Sequence, residues 1–168
     1  MPSLPSRVLP IAALGIAVLL PSPARAKDLR KRFAAGANLQ LGELPALSVR
    51  YGLPTANPAV NVQVELLAGF RSTADPAPGE AGSRILAMGR VLYGMVAEDN
   101  MNLFVGAGAG ARSADSTVTT RIEPVLGADF FPFGLENLGF TAECGVFIDI
   151  GDQAGAGATV GAGLHYWF

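Results

Sequence analysis

The chain of 168 residues is long enough for one ordinary domain and a targeting segment, and its formal net charge of −2 is too balanced for a typical nucleic-acid-binding protein. Half of the residues are hydrophobic and 21 are glycine without a Gly-X-Y period, which excludes a disordered chain and a collagen. The single cysteine, Cys144, excludes a disulfide-stabilised scaffold and any metal site built from several cysteines.

The first 26 residues have the three parts of a secretory signal peptide. Arg7 provides the positive charge, residues 8–20 form an apolar run, and Ala24 and Ala26 form the small-residue pattern of a cleavage site. The apolar run is shorter than the roughly 20 residues that a membrane-spanning helix needs. We therefore predict that residues 1–26 are a cleaved signal peptide and that the protein is exported.

Residues 27–32 form a basic leader that contains Lys27, Lys31 and two arginines. No lysine follows Lys31, and beyond Arg32 there are six arginines against 13 acidic residues, so the rest of the chain is acidic. We expect the leader to be solvated. Contact with anionic lipid head groups is the alternative.

Beyond the leader, apolar residues alternate with small or polar ones. In 138–150 and 156–168 every second residue is apolar, and most residues between them are glycine, threonine or charged. A period of two is typical of strands with one apolar face. The pattern recurs in six earlier segments, separated by turn residues: 33–41, 47–53, 60–70, 84–95, 101–109 and 118–130. We predict an all-β domain over residues 33–168 with eight antiparallel strands.

Three observations indicate that the apolar face points outward, into lipid. The polar phase contains no lysine and is rich in glycine, unlike the surface of a soluble protein. A closed barrel of eight strands has an interior just wide enough for side chains, which the many apolar residues would overfill. The segments also have about the 9–11 residues that a membrane-spanning strand needs. The alternative is a soluble, lipocalin-like barrel whose apolar face points inward.

The aromatic residues agree with an up-and-down membrane barrel. An even number of strands keeps both termini in the periplasm, and aromatic residues form girdles at the two membrane interfaces. If the first strand runs outward, only Phe70 lies near the outer edge. The others lie near the periplasmic edge: Phe33, Tyr51, Tyr93, Phe130, Phe140, Tyr166 and Phe168.

The last six residues are similar to the C-terminal signal by which outer-membrane barrels are recognised for assembly. Phe168 is the terminal aromatic residue, Tyr166 is the aromatic residue two positions before it, and Gly163 is the glycine five positions before it. Gly161 stands where that signal has a polar residue.

With its eight segments, the chain resembles the small outer-membrane barrels of the OmpA-transmembrane and OmpX type. The resemblance implies a Gram-negative origin, a location in the cell outer membrane, and contact with outer-membrane lipid and lipopolysaccharide. It also implies insertion by the barrel-assembly machinery, but no particular activity.

Several charged residues fall in the phase that faces the interior. Because a charge inside a membrane barrel is costly unless it is paired, we expect these residues to form ion pairs. We place Arg50, Glu65 and Arg90 at similar depth on three consecutive strands, and a second group on the sixth and seventh strands: Arg121, Glu123, Glu143 and Asp149. We interpret both groups as a plug that fills the interior. An ion path is the alternative.

No catalytic arrangement is visible in the sequence. The only histidine, His165, faces inward near the periplasmic end, and its strand contains no serine. The glycine-rich stretch 106–110 lacks the GxGxxG spacing of a phosphate loop. We predict no catalytic residue, no cofactor and no metal site.

The function expected from these features is that of a monomeric membrane protein with a structural or surface-interaction role. The second outer loop, Arg71 to Ser83, is the longest and the best candidate contact surface. Three alternatives remain open: a minor porin-like pore for small solutes or ions, a lipid-modifying barrel enzyme, and a soluble periplasmic lipid carrier.

Overall fold

The computed structural model describes residues 27–41, 43–57, 60–78, 81–115, 117–132 and 134–168, so the predicted signal peptide and its cleavage site lie outside the described residues. Eight strands follow one another along the chain. They are β1 (Phe33–Gln40), β2 (Ala46–Gly52), β3 (Val62–Ser72), β4 (Ser83–Ala97), β5 (Met101–Ala114), β6 (Thr117–Phe130), β7 (Leu138–Gly151) and β8 (Gly155–Trp167).

The strands form a closed antiparallel barrel in which each strand pairs with the next one in sequence. Closure comes from β1 and β8, which pair from Ala34 opposite Trp167 to Gln40 opposite Gly161. The predicted all-β, eight-stranded, up-and-down barrel is confirmed. Among the described residues, no helix is long and apolar enough to cross a membrane.

Strand β4 shows why one segment alternates less clearly than the others. Its register with β5 shifts between Gly94 and Val96, which marks a bulge. A bulge places an extra residue on one strand and so interrupts the alternation of the two faces. Met95 and Val96 are consequently both exposed, although they are neighbours in sequence.

The two ends of the barrel differ. We call the end that holds Phe33 and Trp167 the base, and the opposite end the rim. The connections at the rim are residues 41–45, 73–82, 115–116 and 152–154. Phe33 pairs with Tyr51 and Phe130 pairs with Phe140, and all four lie toward the base, whereas Phe70 lies toward the rim opposite Ile85.

The outer face is apolar and the inner face is polar. Leu47, Leu66 and Phe70 are 72%, 65% and 68% exposed, whereas Arg50 and Glu123 are fully buried inside the barrel. This distribution is the reverse of that of a soluble barrel, in which apolar side chains fill the interior. The apolar face therefore points outward, as predicted.

The leader packs against the base of the barrel, which differs from the solvated segment expected from the sequence. Leu29 is fully buried and belongs to a cluster with Ala34, Phe131 and Trp167. The backbone N–H of Lys31 donates a hydrogen bond to the carbonyl of Gly52 (2.7 Å). Leu29 is the one apolar residue of the basic leader, and it fills the opening at the base.

Polar contacts hold the leader on either side of Leu29. The Arg30 guanidinium donates hydrogen bonds to both carboxylate oxygens of Asp28 and to the carbonyl of Thr55 (3.0 Å). The hydrogen bonds from Arg30 lower the pKa of Asp28 below its ordinary value. The side-chain amide of Asn61 donates to the carbonyl of Lys27 (3.1 Å), so the leader is tied to the connection between β2 and β3.

We expect Leu29→Ala to destabilise the folded barrel by about 2 kcal/mol, because the substitution leaves a cavity among Ala34, Phe131 and Trp167. The measurement is urea unfolding of the refolded protein in detergent micelles. Lys31→Ala is the matched control in the same leader, and its expected effect is about 0.5 kcal/mol or less because the side chain is exposed. Equal losses for the two variants would contradict a sealing role for Leu29.

Candidate functional site

The candidate functional site is the interior of the barrel, where charged side chains lie close together. All seven charged residues that were predicted to lie there point inward, and each is at most 7% exposed. They are Arg50, Glu65, Arg90, Arg121, Glu123, Glu143 and Asp149.

Arg90 is the centre of the larger group of ion pairs. One of its terminal nitrogens lies 2.7 Å from Glu123 Oε1, and the other lies 3.0 Å from Glu143 Oε1 and 3.6 Å from Glu65 Oε2. Gly108 lies opposite Arg90 in the register of β4 and β5, and a Cβ atom there would lie 2.5 Å from Arg90 Cγ. The glycine therefore leaves the space in which the arginine side chain crosses the interior.

Arg50 extends the same group toward the base. Its Nε lies 2.9 Å from Glu65 Oε1, and its Nη1 lies 2.9 Å from Asp129 Oδ1. The guanidinium carbon also lies 5.7 Å from the ring centroid of Phe104. Asp129 was not among the predicted members of this network, although it occupies the same alternating phase of β6 as Glu123.

A second, smaller group lies at the rim. Arg121 pairs with Asp149 (2.7 Å) and with Glu43 (2.8 Å), and Arg112 contacts the same two carboxylates. The Arg121 guanidinium also lies over the ring of Phe147, 4.1 Å from its centroid. Neither Glu43 nor Arg112 was predicted, since Glu43 lies in a connection and Arg112 follows the predicted end of its strand.

The ion pairs in the structure group the charged residues differently from the prediction. Glu123 and Glu143 were grouped with Arg121 because they share two strands with it, but both pair with Arg90 instead. The physical reason is the tilt of the strands in a closed barrel, which places residues of distant strands at one level. Sequence position within a strand therefore does not give the depth of a side chain.

His165 has a serine partner that the sequence did not reveal. Its Nε2 lies 2.8 Å from the hydroxyl of Ser48, which donates a hydrogen bond to Glu65 Oε1 (2.6 Å), and its Nδ1 lies 3.3 Å from the hydroxyl of Thr141. Gly36 pairs with both His165 and Ser48 and carries no side chain that would separate them.

This serine and histidine contact differs from the arrangement of a nucleophile and its base. Ser48 and His165 are each 1% exposed, and the serine proton is directed to a carboxylate that already pairs with Arg50. The contact is part of the polar packing of the interior. In the part of the chain that the structure describes, no group of three or more His, Cys, Asp or Glu residues is placed to hold a metal ion.

Apolar clusters lie on both sides of the central ion pairs. The cluster at the base contains Leu29, Ala34, Phe131 and Trp167, and a second cluster contains Leu44, Ala46, Leu67, Leu86 and Met88. Leu44 lies in the rim connection 41–45 and Leu86 lies near the rim end of β4, so this second cluster covers the central ion pairs from the rim side. The described side chains therefore fill the interior with layers of apolar and paired charged groups.

The residues of the predicted assembly signal lie on β8 or directly after it. Tyr166 and Phe168 are exposed on the outer face, and their rings meet edge to face with centroids 5.1 Å apart. Gly163 lies on the same strand, opposite Asn38 of β1. Both aromatic side chains are thus accessible from outside the barrel at its base.

Comparison with known proteins supports the fold. No protein-family model matches the chain, and no curated protein sequence matches it. The outer membrane protein Ail of Yersinia pestis, solved in a phospholipid bilayer nanodisc, is similar with a TM-score of 0.55 and 16% identity, over 82% of this chain and 97% of that one. The N-terminal β-barrel domain of OprF from Pseudomonas aeruginosa gives a TM-score of 0.49 and 15% identity, over 82% and 98% of the two chains. The similarity to Ail confirms the predicted resemblance to small outer-membrane barrels for the fold.

Proposed function

We propose that this protein is an integral outer-membrane barrel with a closed interior and a structural or surface-interaction role. The observation that carries the proposal is the distribution of side chains, with exposed leucine, valine and phenylalanine on the outer face and buried arginine and glutamate inside. Exposure of this apolar face to water would cost roughly 25 cal/mol of free energy per Å² of apolar surface. A bilayer removes that cost.

The remaining parts of the proposal follow from the predicted signal peptide, the apolar outer face and the predicted assembly signal. The protein is exported with cleavage after Ala26, inserted by the barrel-assembly machinery and surrounded as a monomer by outer-membrane lipid and lipopolysaccharide. Tyr166 and Phe168 support recognition by that machinery because their rings are exposed at the base. The base then faces the periplasm and the rim faces outward. No step of this role uses a catalytic residue, a cofactor or nucleic acid.

The surface proposed for contact with a partner is the connection between β3 and β4. Residues 73–82 form the longest connection at the rim, and the described residues of this segment include exposed Asp75 and Pro76. The backbone N–H of Thr73 donates a hydrogen bond to the carbonyl of Gly82 (2.7 Å), which joins the two ends of the loop. A loop held at its ends and exposed at its tip is suited to recognition.

The first test is gel mobility of the detergent-extracted membrane fraction, compared with and without boiling. We expect a shift on heating, because every strand of the closed barrel is paired on both sides and resists detergent alone. Recovery of the protein in the soluble periplasmic fraction, with no shift, would overturn the proposed location.

The second test distinguishes a closed barrel from a minor pore. We expect no single-channel conductance in a planar bilayer, because ion pairs and apolar clusters fill the interior. We also expect no conductance from the folded fraction of the Arg50→Ala and Glu65→Ala variants. Discrete, reproducible conductance steps from the wild-type protein would favour the pore instead.

A further inference from the structure

The apolar outer surface of the barrel is shorter on one side than on the other. Aromatic residues at the base mark a common starting level, among them Phe33 on β1, Tyr51 on β2 and Phe130 on β6. The last outward-facing apolar residue is Leu41 on the β1 side and Val118 on β6, and these side chains are 76% and 62% exposed. The apolar surface therefore extends over eight positions from Phe33 but over twelve from Phe130.

The difference in positions corresponds to a difference in height along the barrel axis. A strand rises about 3.3 Å per residue, and a tilt of about 40° leaves roughly 2.5 Å of height per residue. The apolar surface is then about 30 Å tall at β6, about 20 Å at β1 and about 15 Å at β2, where it ends at exposed Pro45. Because the apolar band of an outer-membrane barrel is about 25 Å tall, β1 and β2 are too short for it.

The connection between β1 and β2 is held low because it folds inward over the interior. Leu44 is 6% exposed and belongs to the apolar cluster on the rim side of the central ion pairs. Glu43 pairs with Arg121 inside the rim (2.8 Å). A Cβ atom at Gly69 would lie 2.9 Å from the carbonyl oxygen of Pro45, so the glycine lets the connection lie against β3. We call β1, β2 and their connection 41–45 the low side of the barrel.

The low side is apolar up to its edge. Leu39, Leu41 and Leu47 are 53%, 76% and 72% exposed, and no outward-facing position of 33–41 or 45–51 carries a charge. The connection above them is irregular, and lipid-exposed irregular backbone does not occur within the hydrocarbon of a bilayer because its polar groups need water. Water and lipid head groups must therefore reach down to this edge.

We propose that the low side is a lipid-binding surface at which the outer leaflet of the membrane is locally thinned. The proposal rests on the proposed location in the outer membrane, with the rim facing outward. Its partner is the acyl chains of outer-leaflet lipid, which shorten or tilt beside Leu41 and Leu47, because a bilayer responds to a short apolar surface by thinning. Lipid head groups consequently lie closer to the midplane here than beside β6. Tilting of the whole barrel is the competing response.

The test compares two residues at equal height on the two sides. Leu41 lies eight positions above Phe33, and Ile122 lies eight positions above Phe130. Leu41→Trp and Ile122→Trp are made in a Trp167→Phe background, which removes the only native tryptophan. The proteins are refolded in phosphatidylcholine vesicles with bromine either near the head group or deep in the acyl chain, because bromine quenches nearby indole fluorescence. We expect relatively more quenching by shallow bromine for Leu41→Trp, and relatively more by deep bromine for Ile122→Trp.

Two variants at the base separate thinning from tilting. Phe33→Trp and Phe130→Trp should lie at equal depth if the bilayer is thinned beside an upright barrel. Unequal depths at the base would show that the barrel tilts and would overturn the proposal. Equal depths for Leu41→Trp and Ile122→Trp, in protein that has inserted, would show a bilayer of uniform thickness and would overturn it as well.

Failure of the proposed membrane location gives a different result. In that case no variant is quenched by either lipid and heating causes no gel shift, which would overturn the location and the thinning together. The same gel shift identifies the folded fraction of each variant. If Leu41→Trp or Ile122→Trp does not fold, Leu39→Trp and Pro124→Trp are the replacement pair, since each lies six positions above the base and is exposed. The same order of depths is expected for them.

Discussion

Arg90→Met is expected to destabilise the folded barrel by about 3–5 kcal/mol, because it removes the cation from a buried group of three carboxylates. Arg90 contacts Glu65, Glu123 and Glu143, and the side chains of all four residues are at most 1% exposed. Methionine keeps most of the volume of the arginine stem beside Gly108. The decrease in the free energy of unfolding is therefore caused by removal of the charge rather than by a cavity. The measurement is the free energy of unfolding from urea titration of the protein refolded in lipid vesicles.

Two comparisons make this result specific. Arg112→Met removes a guanidinium that is 26% exposed at the rim, and its expected cost is about 1 kcal/mol or less. Combining Arg90→Met with Glu123→Gln should recover part of the loss, because one unpaired carboxylate is then neutral. A double variant that loses the sum of the two single effects would show that Arg90 and Glu123 do not interact, contrary to their 2.7 Å contact.

Leu66→Arg is expected to destabilise the membrane-inserted barrel by about 2–4 kcal/mol, the cost of an arginine on the lipid face near the middle of the bilayer. Leu66 lies in the middle of β3, is 65% exposed on the outer face and pairs with Val49 and Gly89. Its side chain would therefore place a guanidinium in hydrocarbon. Folding yield and the urea midpoint in lipid vesicles measure the effect.

The matched control for depth is Val62→Arg on the same strand. Val62 is the first residue of β3 and pairs with Tyr93, so an arginine there reaches the interface, at an expected cost of about 0–1 kcal/mol. If Leu66→Arg and Val62→Arg fold with equal yield and stability in vesicles, the outer face of β3 is not in contact with lipid. Both substitutions should have a smaller effect in detergent micelles, where the apolar layer adapts to the side chain.

The strands were predictable because successive residues of a strand point to opposite faces, so the pattern is visible within each short segment of the sequence. The alternation in 138–150 and 156–168 matches β7 and β8 closely. It was least clear in 84–95, where the bulge between Gly94 and Val96 interrupts it in β4. The interior position of charges such as Arg50 and Glu65 followed from the same alternation, since each strand assigns its own residues to one face or the other.

The partners across the interior were not predictable from the same information. Arg50 reaches Asp129 from β2 to β6, and His165 on β8 meets Ser48 on β2 over Gly36. Such contacts depend on which strands face one another after closure and on how far the strands tilt. The docking of Leu29 at the base was missed for a related reason, since the apolar cap that receives it consists of residues far apart in sequence.

The eight strands, their order, the outward direction of the apolar face and seven of the interior charges could be derived from the amino-acid sequence alone, but Asp129 could not. The period of two in the sequence carries this information, because neighbouring residues of one strand face opposite sides. The depth of each charge, its partner across the interior and the docking of Leu29 at the base emerge only in the folded barrel. The physical reason is that closure of a tilted sheet sets these distances, and closure is a property of all eight strands together.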